Sequence, residues 1–470
     1  MIVSRSVGVA LALLAMPAFA QVSGAGAQAS SSAAPPTLDF DFFKARVEPI
    51  FTTKRVGNAR CISCHGSGTP MRLKPLPDGA ATWSDADARA NFDVIRARVI
   101  PGDPDDSRLL RHPLAEAAGG DPQHDGGKHW TSKDDPEWLT LAAWVRGATL
   151  ATPQPVAQLH ARIIQTNSAG DNVSIIDPAT NKVIGDIRGI EVNHGAAAAP
   201  DGSRIYVSNE ASSTLDVVDA RTLRVMTRIP LSGHPNNIAA SKDGKRVYVA
   251  IREEAGAVDV IDTIGLVRAK SIPIKGAGHN AYVTPDGRYV VAGSVAGKSM
   301  TVIDAQTEEP VWDIVFDLGV RPIAFEQNAD GSTKRAFVQL TDYNGFAVVD
   351  FKTHKETQRI ALPKLAPGKK PVLEGGNTSH GMAVTADNKR LIVNSRLNGA
   401  VYIYSLPDLK VLGSVDVGLA PDWVTLSGTT AYVANAGSNS VSVVDMNALR
   451  EVTRIPVGQV PKRNITAMLP

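Results

Sequence analysis

The residues best placed for chemistry in this 470-residue chain are Cys61-Ile62-Ser63-Cys64-His65. Two thiols a helical turn apart can each join a vinyl group of one porphyrin, and the next residue places an imidazole under the iron. In an exported protein this spacing reads as covalent attachment of one c-type haem, with His65 as an axial ligand. The pair could also serve as a structural disulfide, a thioredoxin-like redox couple or a metal clip. The redox couple wants a surrounding βαβ pattern, which is missing here. A zinc clip wants four ligands, and the chain has only these two cysteines.

Histidines at one register form a second constellation. Counting back eight residues from a recurring turn reaches His194, His279 and His380. Asn236 holds the same place in another copy, with His234 two residues earlier, Arg321 lies near it in a further copy, and Ala420 holds it in the last. Neutral imidazoles that converge make a good copper or iron site. His194, His234, His279 and His380 are therefore candidates to hold copper, a second haem or a small molecule. They would serve equally well to cap turns and hydrogen-bond water.

Composition and the first residues bound the compartment. The 49 basic and 47 acidic residues leave a net charge of +2, so the total carries no electrostatic footprint for nucleic acid. Arg5 precedes an apolar run from Val7 to Met16, and Ala18-Phe19-Ala20 follows. This predicts a signal peptide over 1–20, cut after Ala20. The run falls short of the ~20 residues a bilayer span needs. No later stretch is apolar enough, so no membrane span is expected, and the mature protein is expected to be periplasmic or secreted. Residues 21–36 are mostly Ala, Ser, Gly and Pro without a core-forming pattern and read as a flexible linker.

Residues 37–150 read as helical pieces with long loops. Phe40, Phe43, Val47 and Ile50 recur at helical spacing. Ser84 can cap a helix running to about Val99, and Ser132 can cap another that carries Pro136 in its first turn and ends near Gly147. Leu139, Ala142, Ala143 and Trp144 mark the apolar face of the last helix.

A helix, the Cys61–His65 motif and a terminal helix closing on Trp144 to Gly147 together resemble the cytochrome c family. Pro101-Gly102-Asp103-Pro104, Leu109 to Pro113 and His124 to Gly127 resemble, more narrowly, single-haem domains fused to bacterial propellers. The resemblance covers about 110 residues and implies a sixth iron ligand of Met or His. The family places it before the terminal helix, where this chain has His124 and no Met. His124 is the expected ligand and His112 the next candidate. Met71, His129 and an open site remain behind them.

From residue 160 the chain becomes β-branched and glycine-punctuated, with a period near 42 residues. Two apolar residues and an Asp recur at Asp177, Asp219, Asp262, Asp304, Asp350 and Asp445, with a degenerate copy at Ser405. Turns recur at Asp201-Gly202, Asp243-Gly244, Asp286-Gly287, Asp330-Gly331 and Asp387-Asn388. Four strands per repeat make one propeller blade. The first repeat lacks its opening strand, and Asn464 to Ala467 matches that strand's pattern. Tyr206-Val207-Ser208-Asn209 and Tyr432-Val433-Ala434-Asn435 resemble the YVTN-type propellers, which share a superfamily with the propeller of d-haem nitrite reductases. The expected protein is multidomain: a small all-α cytochrome c domain over 37–150, then an all-β seven-bladed propeller over 160–470 closed by the C-terminal strand.

Three functions fit this layout. One is an exported c-type cytochrome in periplasmic electron transfer, with a redox partner protein. Another is an oxidoreductase with copper or a second haem at the propeller mouth and a small-molecule substrate. The third is a binding propeller with a haem sensor. A long segment from Pro363 to Asn377 precedes His380 and would serve as a lid or as a tolerated insertion.

Overall fold

The computed structural model describes residues 35–54, 59–67, 69–77, 79–122, 124, 126–150, 158–365, 367–373 and 378–470. The signal-peptide assignment, nearly all of the linker, and residues 366 and 374–377 of the long segment lie outside these. Among the described residues no helix is long and apolar enough to cross a membrane.

Residues 36–150 fold as a helical module. Its first helix runs from Phe40–Phe42 through a π-helical turn at Phe43–Val47 into Glu48–Thr52. The Asp39 carboxylate caps it by accepting from the Phe42 amide. The motif itself is a helical turn, Cys61–His65. Ser84 caps Asp85–Arg96 as expected, its hydroxyl accepting from the Asp87 amide. The terminal helix Pro136–Val145 is capped by Asp135, not by Ser132. Ser132 stands four residues before Pro136, too early to reach the open amides of the first turn. Trp144 is fully buried against Phe43 and Phe92, and its indole N–H donates to the Asp39 carbonyl at 2.9 Å. The terminal helix lies against Val267–Pro273 of the third blade, and Val267 joins the module's own core.

Residues 160–470 form seven four-stranded antiparallel sheets. The C-terminal strand Pro461–Leu469 pairs with His160–Asn167 and completes the first blade, with Asn464 opposite Gln165 and Leu469 opposite His160. Closure from both chain ends leaves no open sheet edge between first and last blades. The opening strands of neighbouring blades lie side by side and so surround the axis. Apolar clusters sit between blades; one joins Ile164 and Ile175 of the first to Val207 and Val218 of the second.

The recurring carboxylates are structural. Asp219, Asp304 and Asp350 each accept backbone amides of the turn that follows, at 2.7 Å from Thr222, 2.9 Å from Thr307 and 2.7 Å from Thr353. Asp201, Asp243 and Asp286 do the same two residues ahead, at 2.9 to 3.1 Å.

Candidate functional site

The helical module forms a half-open cavity of about 340 Å³. Cys61, Cys64 and His65 line it together with Phe51, Leu109, Trp130 and Leu141. His124 lies across from His65, with ring centroids 6.4 Å apart and planes 22° from parallel. The two rings are tied in the same way. His65 Nδ1 lies 3.2 Å from the Met71 carbonyl and 3.0 Å from Thr69 Oγ1, and His124 Nδ1 lies 2.5 Å from the Gly127 carbonyl. A carbonyl only accepts, so Nδ1 holds the proton and Nε2 keeps its lone pair in both. Burial lowers the His65 pKa; the Met71 contact opposes this and nearby His124 adds to it. Gly126 makes room beside the second ring, because a Cβ there would stand 2.9 Å from His124 Cε1.

The other candidates for a sixth ligand are placed differently. His112 has both nitrogens engaged, Nδ1 on the Asp121 carboxylate at 2.5 to 2.7 Å and Nε2 by the Arg108 side chain. His129 Nε2 lies 3.4 Å from Glu137 Oε2. Met71 lines the cavity, and its carbonyl serves His65.

Two imidazoles that each bind a metal at ~2 Å place their centroids roughly 6 Å apart. The cavity lining offers the residue types a c-type haem requires: two thiols, two imidazoles whose tautomers leave Nε2 as an acceptor, and apolar side chains.

The propeller has its own site on the axis. The innermost strands begin at Asn193, Pro235, Gly278, Val320, Ser379, Pro421 and Pro461. The second residue of each is His194, Asn236, His279, Arg321, His380, Asp422 and Lys462. All seven line one pocket of about 260 Å³. Each pairing register slips at that point. Such bulges re-aim a side chain out of the ladder. Gly381, at φ +86°, serves the bulge after His380, where a Cβ would meet the Asp422 carbonyl at 2.7 Å.

His194, His279 and His380 are thus brought together, and the His279 and His380 rings lie 5.8 Å apart. His234 is not part of the ring; it is exposed and paired with Glu253 at 2.6 Å. Ala420 is not the seventh member, because Asp422 is. Counting back from the turn fails there because blade seven turns tightly, with Ser427 already opposite Thr430.

The sequence reading placed Arg321 near this register and missed the other basic residues. Arg252, Arg396 and Arg463 join Arg321 and Lys462 around the pocket. The signal for Lys462 lay in the second residue of its opening strand, and that for Arg252 and Arg396 in the residue just after a second strand; both require strand bounds rather than turn positions. Burial works to raise the Asp422 carboxyl, yet His380, Lys462, Arg396 and Arg463 hold it well below the usual carboxylate range. Burial pushes the His380 ring down to about 3, with Asp422 opposing and Arg463 and Lys462 adding. Burial, then Arg463, His380 and Arg321, also hold His279 well below its ordinary value. His194 is lowered by burial against the pull of Glu210.

Among the described residues no group of three or more His, Cys, Asp or Glu side chains is placed to hold a metal ion. Five cationic side chains oppose a further cation such as copper.

No protein-family model and no curated protein matches the chain. Solved structures do. A chain of Kuenenia stuttgartiensis hydrazine synthase is 24% identical with a TM-score of 0.53, over 64% of this chain and 98% of that one. The periplasmic gluconolactonase of Pseudomonas aeruginosa is 19% identical with a TM-score of 0.54, over 66% and 100%. A putative 6-phosphogluconolactonase of Bacteroides fragilis is 17% identical with a TM-score of 0.54, over 67% and 100%. These likenesses show the propeller fold, and one fold hosts many activities.

Proposed function

We propose that this protein is an exported c-type cytochrome with a YVTN-type propeller, acting in periplasmic electron transfer. Cys61 and Cys64 would bind one haem covalently, and His65 and His124 would ligate its iron. The observation that carries this reading is the matched pair of imidazoles, 6.4 Å apart, on a cavity that both cysteines line. When bound, the haem supplies a one-electron couple.

The chain's own residues do the rest. The Met71 and Gly127 carbonyls fix both ring tautomers and raise the basicity of each Nε2. Phe51, Leu109, Trp130 and Leu141 give the cavity an apolar wall. If both imidazoles held the iron, the group would supply electron transfer, with no open position for a substrate.

Mass spectrometry of mature protein, made in a host with cytochrome c assembly machinery, tests the reading. One haem added to the polypeptide supports it. The bare mass after leader cleavage would overturn it.

A further inference from the structure

We infer that the axial pocket of the propeller is a binding site for one small oxyanion, seated beside His279 and Arg321 so that one oxygen accepts from both. The inference is independent of the haem reading and rests on an imbalance of charge and hydrogen-bond donors.

Five cationic side chains border the pocket, and two carboxylates compensate them in part. Asp422 takes Arg396 at 3.1 Å and Lys462 at 3.6 Å. Glu210 takes Arg252 at 2.5 Å and also serves His194 at 2.8 Å. Arg321 and Arg463 form no ion pair among the described residues. Arg463 is 3% exposed, its Nη atoms donate to Asn236 and Asn280, and its Nε has no hydrogen-bond partner. Buried cations without an anion are costly, and a ligand anion repays that cost.

The donors and acceptors place the anion. Asn280 Oδ1 accepts from Arg463 at 2.9 Å, so its NH₂ faces His279 Nδ1 at 2.7 Å. Nδ1 is then the acceptor of a neutral ring, and Nε2 carries the proton. That N–H meets Arg321 Nη1, also a donor, at 3.3 Å. Reversing the Asn280 amide only moves the conflict to Arg463. Two donors aimed at one place require an acceptor from outside the chain, and an anionic oxygen satisfies both.

Other groups refine the class. His380 Nδ1 donates to the Asp422 carbonyl at 2.8 Å and His194 Nδ1 to Glu210, which leaves Nε2 as the acceptor of each ring. An oxyanion that also carries a hydroxyl can donate to them. Hydrogen phosphate should therefore bind more tightly than sulfate, and glycolate more tightly than acetate.

The experiment is calorimetric titration of the full mature holoprotein with each of these four anions at constant ionic strength, with chloride as control. One saturable site per chain is expected for hydrogen phosphate or glycolate. Arg321→Gln should weaken it at least tenfold. Arg463→Gln provides a second variant, checked for folding by circular dichroism, and should do the same. Absence of saturable heat with all four anions would overturn the proposal. So would affinity unchanged in both folded variants, which would place binding elsewhere on the surface.

Discussion

The Arg463 guanidinium lies over the Trp423 ring, 4.6 Å from its centroid. Arg463 belongs to the C-terminal strand that closes the propeller, and Trp423 to the opening strand of blade seven. The strand that seals the ring thus also carries the most deeply buried cation of the pocket, held by a cation–π contact. Closure and site formation are one event in this fold.

Removal of residues 461–470 is accordingly expected to cost more than ten residues of sheet. The cut exposes the inner edge of His160–Asn167 and deletes Lys462 and Arg463 together. Soluble yield and the thermal midpoint should both fall sharply. A truncated chain that melts at the full-length temperature would mean that the first blade is stable with three strands.

His124→Ala should leave the haem attached and change a low-spin spectrum to high-spin. His112→Ala should leave the spectrum low-spin, because both nitrogens of His112 are engaged by Asp121 and Arg108. Optical spectra of the two variants decide between the ligands, and a high-spin His112→Ala beside a low-spin His124→Ala would reverse the assignment.

The fold was legible because its signals are local and repeated. Each Asp of the apolar-apolar-Asp phrase caps the turn after it, so the phrase marks a hairpin wherever it occurs. Asn464 to Ala467 were legible as the missing strand because their pattern repeats that of the other opening strands. The pocket was only half legible. His194, His279 and His380 stand at constant distance from their turns, whereas Asp422 does not, since blade seven has a shorter hairpin. Arg252 and Arg396 stand just after second strands, at one constant spacing beyond Asn236 and His380, a register that counting back from the turns did not use. In the helical module, the Asp135 cap was missed for Ser132 because several cap-type residues precede Pro136, and only backbone geometry selects among them.

Trp144→Ala should destabilise the helical module by about 3–5 kcal/mol, the usual range for a large aromatic lost from a core. Trp144 is fully buried and its indole bonds to Asp39, so both packing and a hydrogen bond are removed. Urea unfolding followed by haem absorbance should show the loss. A cost below about 1 kcal/mol would mean that Phe43 and Phe92 repack into the space.

Anion binding in the propeller should draw in protons. Burial lowers the pKa of both the His279 and His380 rings; Arg463, His380, Arg321 and His194 add to it at His279, while at His380 Asp422 opposes and Arg463, Lys462 and Arg321 add. A bound anion adds negative charge beside them and raises both pKa values from these depressed positions. Protons are then taken up wherever pH lies between the free and bound values, so affinity rises as pH falls toward that window. Sulfate is the right probe, since it does not itself titrate in the range. Calorimetry between pH ~5 and ~7, in two buffers of different ionisation enthalpy, reads the uptake directly against the unperturbed histidine range. Tighter sulfate binding at the acid end, with net uptake, is the expected result. Proton release on binding, or affinity that weakens as pH falls, would show that the anion does not sit against these two rings.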